Sequence, residues 1–317
     1  MKVLITGISG FAGSHLAEYL LAKKNIKVCG IDIKNCNLNN IKHIKKEISL
    51  YQADITNFNS IRKVIREVKP DRIFHLAAKT FVGASFGLPQ ETFYTNIIGQ
   101  LNIFEAVKSL KINPLIQVSG SSDEYGLVLR KELPIKETNL LRPLSPYAVS
   151  KVAQDLLGFQ YFKSYGLKII RTRAFNHCGA RMAEVFVASS FAKQIAMIEN
   201  KKQKAVIRVG NLKAVRDFSD VRDIVRAYWL TLEKCEPGEV YNICSQKSYE
   251  IRELLDILLS YSGVKVRIEK DPQRIRPSDT PVLVGSCEKF RNATGWKPEI
   301  SFEKTLKDLL DYWRQNI

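Results

Sequence analysis

Tyr147 and Lys151 stand four residues apart in the segment SPYAVSK, a spacing that puts both side chains on one face of a helix. A phenol with an ordinary pKa of ~10 is a poor base at neutral pH. A nearby ammonium and an oxidised nicotinamide both favour phenolate, which would fit the phenol to take a carbinol proton as hydride leaves. A hydroxyl at the end of an adjacent strand could hold the reacting oxygen. The run Ser119-Gly-Ser121-Ser122-Asp123-Glu124-Tyr125-Gly126 supplies candidates. A Tyr–Lys pair alone is as well explained by any amphipathic helix, so its meaning depends on what lies upstream.

Upstream lies Gly7-x-x-Gly10-x-x-Gly13, between a strand-like run and a helix pattern. Glycines there let the backbone turn tightly against a pyrophosphate, whose charge meets the amides and dipole of the helix start. Phe11 and Ala12 belong to the same turn. Asp32 follows Gly13 by 19 residues and closes the second strand, where a carboxylate accepts hydrogen bonds from an adenosine ribose. An acid at that point repels a 2′-phosphate, so NAD(H) is expected over NADP(H), with Lys34 weakening the exclusion. Asp54 and Ile55 suit an adenine edge. His75, Leu76, Ala77 and Ala78 would line the nicotinamide side.

These residues need a scaffold of alternating strands and helices, and the first half of the chain reads that way. Strands are expected at 2–6, 27–32, 50–54, 72–77, 115–119 and 168–173, and helices at 14–23, 58–68, 92–110 and 146–165. Nearly continuous apolar strands alternating with helices imply a parallel sheet covered on both faces. The fold expected is α/β, a Rossmann-type doubly wound parallel sheet with a smaller C-terminal α/β substrate domain. Residues 1–174 would form the NAD-binding domain and 175–317 the substrate domain, with a segment near 217–243 returning to the first. The stretch 34–46 reads as polar.

Forty-nine Lys plus Arg against 32 Asp plus Glu give a formal net charge of +17. Such a balance suits anionic partners, but most of it reads as a lysine-coated surface; Arg181, Arg216 and Arg276 fall in expected loops and stand apart. Six cysteines without a C-x-x-C pair and four histidines without H-x-x-x-H spacing argue against a disulfide framework or a zinc site. No apolar run is long enough to span a membrane and no leader segment is evident, so a cytoplasmic protein is expected. An RNA-binding or non-catalytic role would call for a broken Tyr–Lys pair and basic residues interleaved with aromatics. Neither is present.

The set TGISGFAG, HLAAKT, SGSSDEYG, SPYAVSK and FNHCGA resembles the extended short-chain dehydrogenase/reductases over essentially the whole chain. VGNLKAVRDFSDVRD (209–223), RIRPSDTPVLVGS (274–286) and TGWKP (294–298) resemble the branch acting on GDP-mannose-type sugars. The likeness is nearest to GDP-4-keto-6-deoxy-mannose reductases and GDP-manno-heptose 4-dehydrogenases. The resemblance implies Tyr147 as acid/base, Lys151 on the nicotinamide ribose and Ser121 holding O4. It places Asn176, Lys193, Arg216 and Arg276 around the diphosphate or base, and Lys79, Ser122, Asp123 and Asn211 along the bound sugar nucleotide.

Two departures matter. Related dehydratases carry glutamate where this chain has Asp123, and a shorter side chain retracts the carboxylate by roughly 1 Å, a misplacement that can cost ~100-fold. Many also carry an aspartic acid at the position of Ser122, but the GDP-mannose dehydratases do not. The turn His177-Cys178-Gly179-Ala180-Arg181 likewise differs from the proline-containing turns of the branch. Redox at C4 of a GDP-linked manno-configured hexose or heptose is therefore expected, in either direction, with a 4,6-dehydratase as the alternative. The resemblance also implies a homodimer paired through a four-helix bundle. Phe93, Ile97, Leu101 and Phe104 of one helix and Leu156, Leu157 and Phe159 of the other are its candidate apolar surface.

Overall fold

In the computed structural model, which describes residues 1–275 and 280–317, seven parallel strands form the central layer. Their order across the sheet is Val240–Ile243, Ile169–Ala174, Leu115–Ser121, Arg72–His75, Lys2–Thr6, Lys27–Asp32 and Ser49–Gln52. Every neighbouring pair in it is parallel. Because side chains alternate across a strand, Val3 and Ile5 enter one core and Leu4 the other. The first core is closed by the helices Phe11–Leu21 and Val221–Lys234, the second by Phe58–Val68, Gly99–Ser109 and Pro146–Tyr165. This is a Rossmann-type doubly wound sheet with helices on both faces.

The chain reverses within this sheet order after Ser49–Gln52, and the turns at the C-terminal strand ends open into one cleft. The remaining strands make a small sheet of Ser248–Glu250, Val215–Asp220, Val282–Leu283 and Asn176–Cys178, and a two-stranded ribbon of Arg267–Lys270 with Val206–Val209. All but Val282–Leu283, whose Leu283 joins the first core, gather with Val187–Glu199, Ile251–Ser260 and Phe302–Gln315 around a third apolar core. No helix among the described residues is long and apolar enough to cross a membrane.

Several local expectations are corrected. The first helix starts at Phe11, three residues early, since Gly10 is already the extended residue that caps it. The 92–110 helix begins at Pro89 and is interrupted by a π turn at Tyr94–Ile98. Stretch 34–46 contains the turn Asn39–Ile44, whose Ile41 and Ile44 are buried in the first core. Arg216 lies on a strand rather than in a loop. Phe104 is fully buried beneath the sheet and offers nothing to a partner, whereas Leu156 and Phe159 remain exposed.

Candidate active site

The turn after the first strand is shaped for glycine alone. Gly7 adopts φ of +70° and donates to Ile31 O at 2.8 Å, while Gly10 N–H donates back to Gly7 O at 3.0 Å. A Cβ on Gly13 would stand 2.2 Å from Gly7 O, and one on Gly7 would stand 2.9 Å from Ala77 Cα. Both neighbours are backbone and cannot step aside. The helix Phe11–Leu21 therefore starts flush against the turn, with Phe11, Ala12 and Gly13 of its first turn lining the cleft, and a helix start at a glycine turn suits a pyrophosphate. A nicotinamide dinucleotide fits these residues.

Asp32 is next to this turn. Its carboxylate accepts from the Ser9 N–H at 3.0 Å, from the Ser9 hydroxyl, and from the Ile33 N–H at 3.0 Å. Ser9 is a contact that spacing alone did not reveal; it lies between the first two glycines and needed the fold to reach Asp32.

The helix that carries Tyr147 and Lys151 is set locally by strong signals. Ser145 caps it by accepting from Ala148 N–H, Pro146 occupies its first turn, and Gly166 ends it at φ +69°. Tyr147 and Lys151 are 8% and 4% exposed and share its inward face. Lys151 Nζ donates to Ser119 O at 2.7 Å and lies 5.9 Å from the Tyr147 ring centre. Ser121, on the end of the same strand as Ser119, accepts from Asp123 N–H at 3.2 Å and donates to the Asp123 carboxylate at 3.4 Å.

Electrostatics depart from the expectation of a lowered phenol pKa. Burial first, then the charge of Asp123, pushes Tyr147 up, opposed by hydrogen bonding from Ser121. The protein by itself keeps the phenol protonated. Burial drives Lys151 down to about 8, opposed by the charge of Glu124.

A cleft of about 1550 Å³ brings the candidate residues together. Its wall contains Gly7, Gly10, Phe11, Ala12, Gly13, Asp32, Asp54, Ile55, Leu76, Ala77, Ala78 and Lys79 from the sheet's strand ends and turns. Ser121, Ser122, Asp123, Tyr147 and Lys151 form its floor, and Asn176, Lys193, Asn211 and Arg216 its far side. Lys34 is exposed and outside the cleft, because the chain turns outward past Asp32. His75 is also outside: it is buried behind the wall, its Nδ1 2.9 Å from the Thr6 hydroxyl. Arg276 lies outside the described residues.

The cations differ in what holds them. Lys193 is ion-paired to Glu184, and Lys79 to Glu91 at 2.6 Å. Arg216, 7% exposed, donates to Val215 O at 2.9 Å. Arg274, which sequence reasoning passed over in favour of Arg276, lines the cleft and donates to Ser190 Oγ at 2.8 Å. The alternation R-I-R was the available signal for a cation at this edge of the cleft. Arg181 is outside the cleft, bound to Glu18 and to Asn40 O at 3.1 Å, so its charge locks the 179–181 turn to the first helix.

Comparison with known proteins places the chain among sugar-nucleotide enzymes by sequence and fold. The family described as GDP-mannose 4,6 dehydratase matches residues 4–309. The GDP-6-deoxy-D-mannose reductase of Pseudomonas aeruginosa is 34% identical over 316 residues, covering 100% of this chain and 98% of that protein. GDP-mannose 4,6 dehydratase 2 of Arabidopsis thaliana is 34% identical over 324 residues, covering 97% and 85%. Among solved structures, RMD from Pseudomonas aeruginosa complexed with NADPH superposes with a TM-score of 0.87 at 32% identity over 100% and 99% of the two chains. The UDP-glucose 4-epimerase of Thermus thermophilus, in complex with NAD, gives 0.89 at 29% identity over 100% of both.

Proposed function

The chain belongs to the GDP-mannose 4,6 dehydratase family, and from that premise we propose that it is an NAD(H)-dependent oxidoreductase acting at C4 of a GDP-linked manno-configured sugar. The substrate is a GDP-hexose or GDP-manno-heptose, and the reverse reaction reduces its 4-keto form. The observation that carries this reading is the meeting of Ser121, Tyr147 and Lys151 with the glycine turn in one cleft.

The dinucleotide would be held by Gly7, Gly10, Gly13 and Asp32, and it supplies the hydride acceptor or donor when bound. Ser121 holds the sugar's O4 by hydrogen bonding. Tyr147, protonated at rest, donates its proton to O4 in the reductive direction and takes it back in the oxidative one. Lys151, fixed by Ser119 O, keeps a positive charge near both phenol and ribose. Asn176, Lys193, Asn211 and Arg216 meet the diphosphate and its flanks, since a diphosphate is best held by several fixed donors. Residues 1–174, with the return at 217–243, form the cofactor unit and 175–317 the sugar-nucleotide unit. The exposed Leu156 and Phe159 support pairing of two chains through the Pro146–Tyr165 helices.

A 4,6-dehydratase is the second reading, favoured by the Asp123 carboxylate lining the cleft beside Ser121 and Tyr147. Against it, the Asp123 carboxylate is one methylene shorter than the glutamate of related dehydratases and accepts from the Ser121 hydroxyl at 3.4 Å. Mass spectra of sugar nucleotides test the proposal. GDP-mannose and GDP-manno-heptose are incubated with NAD, and a GDP-4-keto-6-deoxy sugar with NADH, each beside Tyr147→Phe. A change of two hydrogens that Tyr147→Phe abolishes is expected; loss of water would establish the dehydratase instead.

A further inference from the structure

Glu124 is fully buried, outside the cleft, and takes no part in the chemistry above. A carboxylate removed from water costs several kcal/mol unless it is paired and hydrogen-bonded. Its Oε1 accepts the Ser121 N–H at 2.7 Å and its Oε2 accepts the Arg173 Nε–H at 3.0 Å. Burial first, then the charge of Asp155, pushes its pKa up, opposed by the Arg173 charge, the Ser121 N–H and the Lys151 charge. A Cβ on Gly120 would lie 2.3 Å from Oε1, so glycine at that position is what lets the carboxylate sit under the strand end.

Arg173 extends the brace. It also donates to Asp155 Oδ2 at 3.0 Å, to the Tyr125 hydroxyl at 3.1 Å and to Glu137 O at 3.2 Å. Asp155 is four residues beyond Lys151 on the catalytic helix, and Arg171 holds its other oxygen at 2.5 Å. Two carboxyl groups and two guanidiniums thus tie the helix of Tyr147 and Lys151 to the strand end that carries Ser119 and Ser121. Each end of the cluster touches backbone or helix that presents a reacting group.

We propose that Glu124 is a positioning residue for this reaction: braced by Arg173 and Asp155, it sets where the Ser121 hydroxyl and the Ser119 carbonyl, and with them the Lys151 ammonium, stand against Tyr147. The inference rests on the C4 oxidoreductase reading. It has an electrostatic counterpart. The charged and titratable groups acting on Glu124 are Asp155, Arg173 and Lys151, and Glu124 in turn raises Lys151 against the lowering caused by its burial. The imidazole of His75 and the phenol of Tyr147 are the other titratable neighbours of this lysine.

The test is Glu124→Gln in the holoenzyme. Gln places an NH2 against one of two donors, so one bond is lost with little change in volume. The expected result is a fall in kcat of about 100-fold, with KM for the 4-keto sugar and Kd for NADH changed by less than about threefold. By 15N NMR of the lysine ammonium, assigned with Lys151→Arg, the Lys151 titration should move down by about one pH unit. A kcat within about threefold of the parent with an unmoved Lys151 titration overturns the proposal, even if Tm drops. Should Glu124→Gln not fold, Arg173→Lys, which keeps the charge but loses the fork, carries the same kcat-against-KM expectation. If the parent lacks C4 activity, the functional reading fails, and the Lys151 titration alone then decides for or against the brace.

Discussion

Lys151 donates to the backbone carbonyl of Ser119 at 2.7 Å, so the lysine is anchored by the strand that ends in Ser121. Its distance of 5.9 Å from the Tyr147 ring centre leaves the phenol governed by burial and by Asp123. The resting site therefore holds an acid, which suits delivery of a proton to a reduced carbonyl oxygen.

That relationship sets the first prediction. Asp123 raises the Tyr147 pKa by its charge; removing the charge lowers it. Reduction needs the protonated phenol, so activity declines as pH rises through this pKa. In Asp123→Asn the alkaline decline of kcat should begin at lower pH than in the parent. A profile that is unmoved, or displaced upward, would show that Asp123 does not face the reacting phenol.

Cofactor choice follows from Asp32. Its carboxylate occupies the Ser9 donors, and the exposed Lys34 is outside the cleft. A 2′-phosphate would meet a negative charge with no lysine at this point to answer it. NADH should exceed NADPH in kcat/KM by at least about 10-fold, and Asp32→Ala should erase most of that ratio by freeing the Ser9 N–H and hydroxyl. Steady-state kinetics with both cofactors decides; a parent that prefers NADPH would refute the assignment.

Gly13 is the least replaceable residue of the turn by contact, since the added Cβ would press on Gly7 O at 2.2 Å and on Ile8 Cα at 2.9 Å. Gly13→Ala should weaken NADH binding by about 100-fold or more, measured by cofactor fluorescence, as the amides facing the pyrophosphate shift. Gly87→Ala is the matching control, because its Cβ would meet nothing within 4 Å. Equal binding by the two variants would mean that this turn does not hold the dinucleotide.

His75 should shape acid stability. Burial, with a smaller contribution from the Lys151 charge, lowers its pKa to about 3. Below about pH 6.5 the unfolded imidazole binds a proton that the folded one refuses, so stability is lost as pH falls. At pH 4 this single group costs about 3 kcal/mol. His75→Gln should flatten the Tm-against-pH curve between pH 6.5 and 4 relative to the parent, with His15 common to both. Parallel curves would assign the acid sensitivity to other groups.

The parts of the site that could be read in advance are those encoded by short-range pattern. Glycine spacing before a helix, an acid at the end of the next strand, and Tyr–Lys at one helical turn each carry their geometry within a few residues. Strand and helix alternation did the same for the sheet. Errors collected where local pattern competes with packing. Phe104 looked like surface and is core, Arg216 looked like loop and is strand, and the 34–46 stretch hides Ile41 and Ile44 beneath its lysines.

By itself, then, the amino-acid order determined the doubly wound sheet, the glycine turn and the placing of Tyr147 and Lys151 on one helix face, because hydrophobic period and backbone constraint act over neighbouring residues. Only the tertiary structure decided that Lys151 is held by Ser119, that Arg181 is spent on Glu18, that Arg274 lines the cleft, and that Glu124 joins Arg173 and Asp155 under the strand end of Ser121. Those are contacts across tens to more than a hundred residues of chain. Which cation meets which carboxylate is settled by where the folded backbone brings them and by the cost of leaving either one buried alone.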